Sequence, residues 1–294
     1  MRLERVSYVV DGDTVVGHLH LPDGPGPHRA VVVGGPMTSV KEQVTGVYAQ
    51  ALARRGFAAL AIDPRHFGES GGTPRQYEHS GRKIADLQAG LEHLAGRREI
   101  DATRLGAIGV CLGAGYAAWA AVGSPRVRAF AGVAGYYRDP TEMRAADPPG
   151  FQAKIDQGIR AREHYEATGE VLTIPAAAPT GDAAMTSRET CDYYGTPRAA
   201  VANYVNAFAV MSREHFLPFD VQAAAPRLTV PTLLVHSQRA LSPTWARRFF
   251  AAVTAPVKQL EWIDSAGQVD IYDDPQRVDA AADLVAAHLD ARLA

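Results

Sequence analysis

The chain has 294 residues, of which 47% are hydrophobic, enough for one substantial core with an insertion. Its 30 basic and 32 acidic residues nearly balance, and without a basic tail or an aromatic-interleaved Lys/Arg patch nucleic acid is not an expected partner. An apolar leader and a run of roughly 18 apolar residues are both absent, so neither export nor a membrane span is predicted and the expected location is cytoplasmic.

Residues 6–10 and 14–21 are β-rich runs around Asp11-Gly12, a dipeptide that supplies the positive φ angles of a tight turn, so the chain is predicted to open with an antiparallel hairpin. After a Pro/Gly-rich turn, short apolar runs alternate with helical segments. Strands are predicted over 30–33, 58–62, 105–110, 127–133, 232–236 and 257–263, and helices over 42–55, 82–95, 113–122, 243–253 and 275–292. Continuous apolar strands suit a sheet covered on both faces, and strand-helix alternation predicts a doubly wound, mostly parallel α/β architecture. Residues 136–220 break the rhythm with Pro148-Pro149-Gly150, Pro179-Thr180-Gly181 and Gly195-Thr196-Pro197. The expected organisation is therefore a core over 1–135, a helical cap over 136–220 and the rest of the core over 221–294, because structureless loops of that length are uncommon.

The strongest local signal is Gly109-Val110-Cys111-Leu112-Gly113-Ala114-Gly115, where an apolar strand meets a small-residue helix. It fits G-x-nucleophile-x-G, a sharp turn that strains its central residue and needs glycines on either side. A thiol there lies beside a helix N-terminus, whose dipole is expected to lower its pKa. Two cysteines, Cys111 and Cys191, cannot make a disulfide framework. Without CxxC or HExxH spacing, neither a metal nor another cofactor is expected.

Val40-Lys41-Glu42-Gln43, Asp63, the run Gly68-Glu69-Ser70-Gly71-Gly72 with Pro74-Arg75, and the elbow through Tyr116 together resemble the dienelactone hydrolase-like and X-prolyl-peptidase-like α/β hydrolases. The resemblance extends from the hairpin to the last helix, apart from the cap. It implies the α/β-hydrolase fold and a place among esterases, lactonases, thioesterases and peptidases, between which the fold does not choose. It also implies that the loop Gly34-Gly35-Pro36-Met37-Thr38 supplies one oxyanion-hole amide, with Met37 and Leu112 as donors and Gly35 where relatives often carry His.

The same resemblance exposes two gaps. The acid usually follows the seventh core strand, but Ser237-Gln238-Arg239-Ala240-Leu241-Ser242 contains none, and Gln268 occupies the place of the usual histidine. An amide holds hydrogen bonds but shuttles no proton at neutral pH. Replacement bases are sought in Glu42, whose general region contacts the cysteine in dienelactone hydrolases, and in His66, close to the catalytic end of the sheet. Each also has a structural reading, as a helix N-terminal carboxylate and as a hydrogen-bonded core histidine. His236, at a strand end, and Tyr193, in the cap, are candidate substrate contacts. The functional expectation is a Cys111-dependent enzyme with an incomplete triad, acting without a cofactor on a small ester, lactone or thioester, and compatible with a homodimer. Its rivals are a non-hydrolytic cyclase, lyase or isomerase in the same pocket, and a non-catalytic binding protein.

Overall fold

The computed structural model describes residues 1–294. Strands β1 (Arg2–Val10) and β2 (Asp13–Leu21) pair antiparallel across Asp11 and Gly12, whose φ angles of 49° and 88° give the turn the Asp-Gly pair was expected to make. There follow β3 (His28–Gly34), α1 (Val44–Ala53), β4 (Ala58–Asp63), α2 (Ser80–Ala95), β5 (Ile100–Val110), α3 (Leu112–Gly123) and β6 (Val127–Val133). Then come α4 (Pro140–Ala146), α5 (Pro148–Thr168), β7 (Thr173–Ile174), α6 (Arg188–Tyr194), β8 (Phe208–Ala209) and α7 (Ser212–Phe216). The chain closes with β9 (Thr232–His236), α8 (Pro243–Ala252), β10 (Lys258–Trp262), α9 (Asp270–Asp273) and α10 (Pro275–Arg292).

The main sheet has the order β1-β2-β4-β3-β5-β6-β9-β10, antiparallel at the hairpin and at β2/β4 and parallel elsewhere. This is the α/β-hydrolase fold. Strand side chains alternate between two cores. Val32, Leu60 and Phe130 pack with α2, α3 and α8, whereas Val31, Val33 and Ala131 pack with α1 and α10. Burial on both faces is why the central strands read as unbroken apolar runs. No helix is long and apolar enough to cross a membrane.

One boundary matters for the site. Helix α1 starts at Val44, two residues after the predicted start, because Gln43 folds back to accept from the Val40 N–H and the Lys41 N–H donates to Asp63 Oδ1. Glu42 consequently lies in the turn before the helix. The residues between β6 and β9 hold α4 to α7 and the two-stranded pairing of β7 with β8.

Candidate active site

Cys111 occupies the turn between β5 and α3 with φ 56° and ψ −127°, a strained conformation for a residue with a side chain. Packing holds it there. The Cys111 N–H donates to Val133 O, and its carbonyl accepts from the amides of Ala114 and Tyr136. A Cβ on Gly109 would stand 2.1 Å from Gly113 O, and one on Gly113 would stand 2.2 Å from Gly34 O, so both glycines are required by close backbone approach.

The sulfur lies on the wall of a cavity of about 380 Å³. Pro36, Met37 and Leu112 share the floor with it, and Tyr136, Leu241, Ser242 and Tyr272 form one side. Met143, Met185, Thr190, Tyr194 and Phe216, all from between β6 and β9, close the other side. The Met37 N–H donates to no protein acceptor, while the Leu112 N–H points to the Cys111 sulfur. One backbone donor thus contacts the thiol, and a second, without a protein acceptor, belongs to a residue lining the same cavity.

The oxyanion-side loop is anchored by a residue that sequence reasoning missed. Glu78 is fully buried; its Oε2 accepts from the Thr38 N–H at 2.9 Å, and its Oε1 accepts from Tyr116 Oη at 2.6 Å and pairs with Lys83 Nζ at 2.7 Å. Thr38 has φ 60°, so the carboxylate fixes a left-handed loop residue against the elbow helix. No periodicity or motif marks Glu78, since its partners lie as much as 40 residues away in sequence.

The opposite side carries no imidazole. Gln268 Oε1 accepts from the Leu241 N–H at 2.9 Å, and its Nε2 donates to Ala134 O at 2.7 Å and Tyr272 Oη at 3.2 Å. A backbone amide of the loop that usually bears the acid therefore orients Gln268, and Ser237 accepts from Ser265 Oγ deeper in the same loop. Helix α6 reaches across. Its Glu189 Oε2 accepts from the amides of Gln268 and Val269, and Arg198 just beyond it pairs with Asp273. Tyr272 touches the thiol, although Asp270-Ile271-Tyr272-Asp273-Asp274-Pro275 reads in the sequence only as a helix cap, a job that Asp274 performs.

The thiol departs from expectation. Burial pushes the Cys111 pKa up, outweighing the contacts from Tyr272 Oη, the Leu112 N–H and Gln268 that favour the thiolate. Desolvation of a charge here exceeds the pull of those contacts together.

Other expected participants lie elsewhere. Glu42 does not line the cavity. It lies on a separate surface depression with His18 and His20, bound by Lys41 and Asn203; burial alone would raise its carboxyl, but those two contacts hold it below its usual value. His18, Glu42 and Glu69 are close enough to hold a cation, and Lys41 Nζ already lies 2.7 Å from Glu42 and 2.6 Å from Glu69. His66 is enclosed between Pro74 O and Arg82, and burial, then the Arg82 charge, depresses it to about 3, leaving its ring nitrogens engaged and unable to serve Cys111. His236 is fully buried, with Nδ1 on Ser237 O and Nε2 on Gly135 O, and burial lowers its pKa. Gly35 packs on Ser39 and Thr45, where its missing side chain makes room. Tyr193 stacks edge-on against Tyr272 behind the wall, and its neighbour Tyr194 faces the cavity instead, as adjacent helical residues point apart.

A model of the FrsA-like esterase family matches residues 1–139. YcjY of Escherichia coli, an uncharacterised protein, is 30% identical over 269 residues, covering 88% of this chain and 87% of that one. PA2218 of Pseudomonas aeruginosa, likewise uncharacterised, is 31% identical over 287 residues, covering 91% of this chain and 75% of that protein. This chain belongs to their family of α/β hydrolases. The crystal structure of PA2218 superimposes with a TM-score of 0.84, covering 99% of this chain and 94% of that one. A thiohydrolase of Aspergillus aculeatus, aneE, is 34% identical over 119 residues, 40% of this chain and 37% of that protein. The family is one of hydrolase-class enzymes.

Proposed function

We propose that this chain transfers or hydrolyses small acyl groups through Cys111, with thioesters as the substrate class it handles best and esters and lactones as slower ones. The carrying observation is that Cys111 lines the cavity together with Met37 and Leu112, with the Leu112 N–H on its sulfur and the Met37 N–H free of any protein acceptor. The thiolate sulfur adds to the carbonyl carbon, and the carbonyl π pair moves onto oxygen, where the two N–H groups receive it. Cys111 gives up its proton to solvent before attack; collapse re-forms the carbonyl and expels the leaving group, which takes up a proton from solvent. An ester adduct would preferentially eject the enzyme sulfur, because a thiolate leaves more readily than an alkoxide. A thioester adduct partitions evenly. The thiohydrolase similarity supports the same substrate class.

Release of the acyl group is the slow half. Water must add while something accepts its proton, and Gln268 accepts none. The residues between β6 and β9 act as a cap that encloses the acyl group. A hydroxyl of the substrate itself needs the same proton acceptor as water, but it is held beside the acyl carbonyl at high effective concentration, so ring closure competes with hydrolysis whenever the acyl chain carries one.

Intact-mass measurement after mixing with an acyl N-acetylcysteamine thioester tests the reading. Accumulation of one acyl adduct in wild type and none in Cys111→Ala is expected, with a burst followed by slow turnover. Equal turnover in Cys111→Ala would overturn the nucleophile assignment. Fast turnover without a burst would overturn the missing-base argument.

A further inference from the structure

We infer that the acyl substrate carries a carboxylate remote from its reacting carbonyl, and that Arg138 recognises it. The inference rests on the acyl-transfer reading only for the identity of the reaction; the anion site stands on its own geometry.

Arg138 is fully buried, and it lines the same cavity as Cys111, two residues past Tyr136, whose amide is bound to the Cys111 carbonyl. Its guanidinium donates to Phe216 O at 2.6 Å and Leu217 O at 3.0 Å and lies over the Phe216 ring. Neither carbonyl neutralises its charge. The side chain forms no ion pair, and the acid that influences it, Asp220, is occupied with the Ala223 N–H. Its Nε–H has no acceptor, and one Nη2 contact goes to Met143 Sδ at 3.5 Å, a weak acceptor on a flexible side chain.

Charge around the cavity points the same way. Among its 19 lining residues there are two cations, Arg138 and the exposed Lys154, and no Asp or Glu. A buried cation without a counter-ion is costly, and the cost is relieved when a bound anion supplies the missing charge. The Nε–H without an acceptor and the neighbouring Nη2–H held only by the Met143 thioether fit a planar carboxylate once that thioether swings aside. A neutral acyl chain would leave those donors unmet.

Glutaryl N-acetylcysteamine thioester and its ω-methyl ester differ only in that charge. We expect wild type to acylate with the free acid at least about tenfold more efficiently, the worth of a charge-assisted hydrogen bond, and Arg138→Gln to lose most of that ratio through KM. Arg138→Lys keeps the charge without the fork and should retain an intermediate ratio. No preference in wild type, or a preference undiminished in Arg138→Gln protein of native thermal stability, overturns the inference. Because Arg138 also holds two loop carbonyls, calorimetry on Cys111→Ala with glutarate gives an independent reading that needs neither turnover nor an Arg138 variant. Glutarate binding with failed acylation in wild type leaves the anion site standing and removes the acyl-transfer reading. Absent glutarate binding overturns the anion site, and inorganic phosphate competing as well as glutarate overturns the carboxylate assignment.

Discussion

The two sides of the cavity are built on different principles. On the elbow side, the backbone of Met37 and Leu112 lines the cavity, held by glycines that permit contact and by the buried Glu78–Lys83–Tyr116 cluster. On the other side, where relatives of this fold place proton-transfer groups, Gln268 is fixed by Leu241, Ala134 and Tyr272, and the acid's place is taken by a backbone N–H. One side retains the means to stabilise charge; the other has exchanged proton transfer for a rigid wall. On the proposed reading, charge stabilisation and water activation come apart in this site because backbone geometry and side-chain acid-base chemistry are encoded by separate residues.

The largest effect should come from breaking the first side. Glu78→Gln leaves the Lys83 ammonium buried without its partner and should cost about 3–5 kcal/mol of stability, read as a lower urea midpoint. If the loss is under about 1 kcal/mol, the value expected of an exposed pair, the cluster is not what fixes the loop. Breaking the second side should be milder. Gln268→Ala removes three hydrogen bonds and leaves buried partners unmet, for about 2–3 kcal/mol. Gln268→His sharpens the comparison, since an imidazole without an oriented acid should raise deacylation well short of the roughly hundredfold a competent general base contributes. A full gain would mean that a neighbouring group already supplies the orienting role.

Smaller effects concern the thiol where the two sides meet. Tyr272→Phe removes a contact that favours the thiolate, so iodoacetamide modification of Cys111 at pH 8 should slow by about fivefold, roughly one hydrogen bond's worth. Unchanged or faster labelling would show that Tyr272 only packs. In wild type, burial holds the Cys111 proton to higher pH than in the unfolded chain. Labelling should therefore stay slow through neutral pH and accelerate only in the alkaline range. The same sign makes the stability contribution of the protonated thiol complete below an unfolded pKa of about 8.5 and lost as pH rises through the folded value. Urea midpoints of wild type and Cys111→Ala should accordingly converge toward alkaline pH, and a gap that widened there would reverse the argument.

The sequence by itself determined the sheet, the hairpin turn, the core helices and the elbow, because these depend on short-range regularities: strand-length apolar runs between helical segments, Asp-Gly at a two-residue turn, glycines two residues on either side of Cys111. It also located Gln268 and the acid-free loop, since both sit at fixed distances after recognisable strands. Tertiary structure alone decided which polar groups meet. Glu78 and Thr38 come from distant loops, Tyr272 and Glu189 converge on Gln268 from α9 and from α6, and the Arg138 charge becomes conspicuous only once no acid is found beside it. Glu42, His66 and His236 read equally well as catalytic or structural from sequence, and their enclosure by Lys41, Arg82 and backbone carbonyls separates them from the thiol. The direction of the thiol pKa escapes the sequence for the same reason. The helix N-terminus is a local feature visible along the chain, whereas desolvation is set by every element packed around the sulfur, and in this site it outweighs the contacts that favour the thiolate.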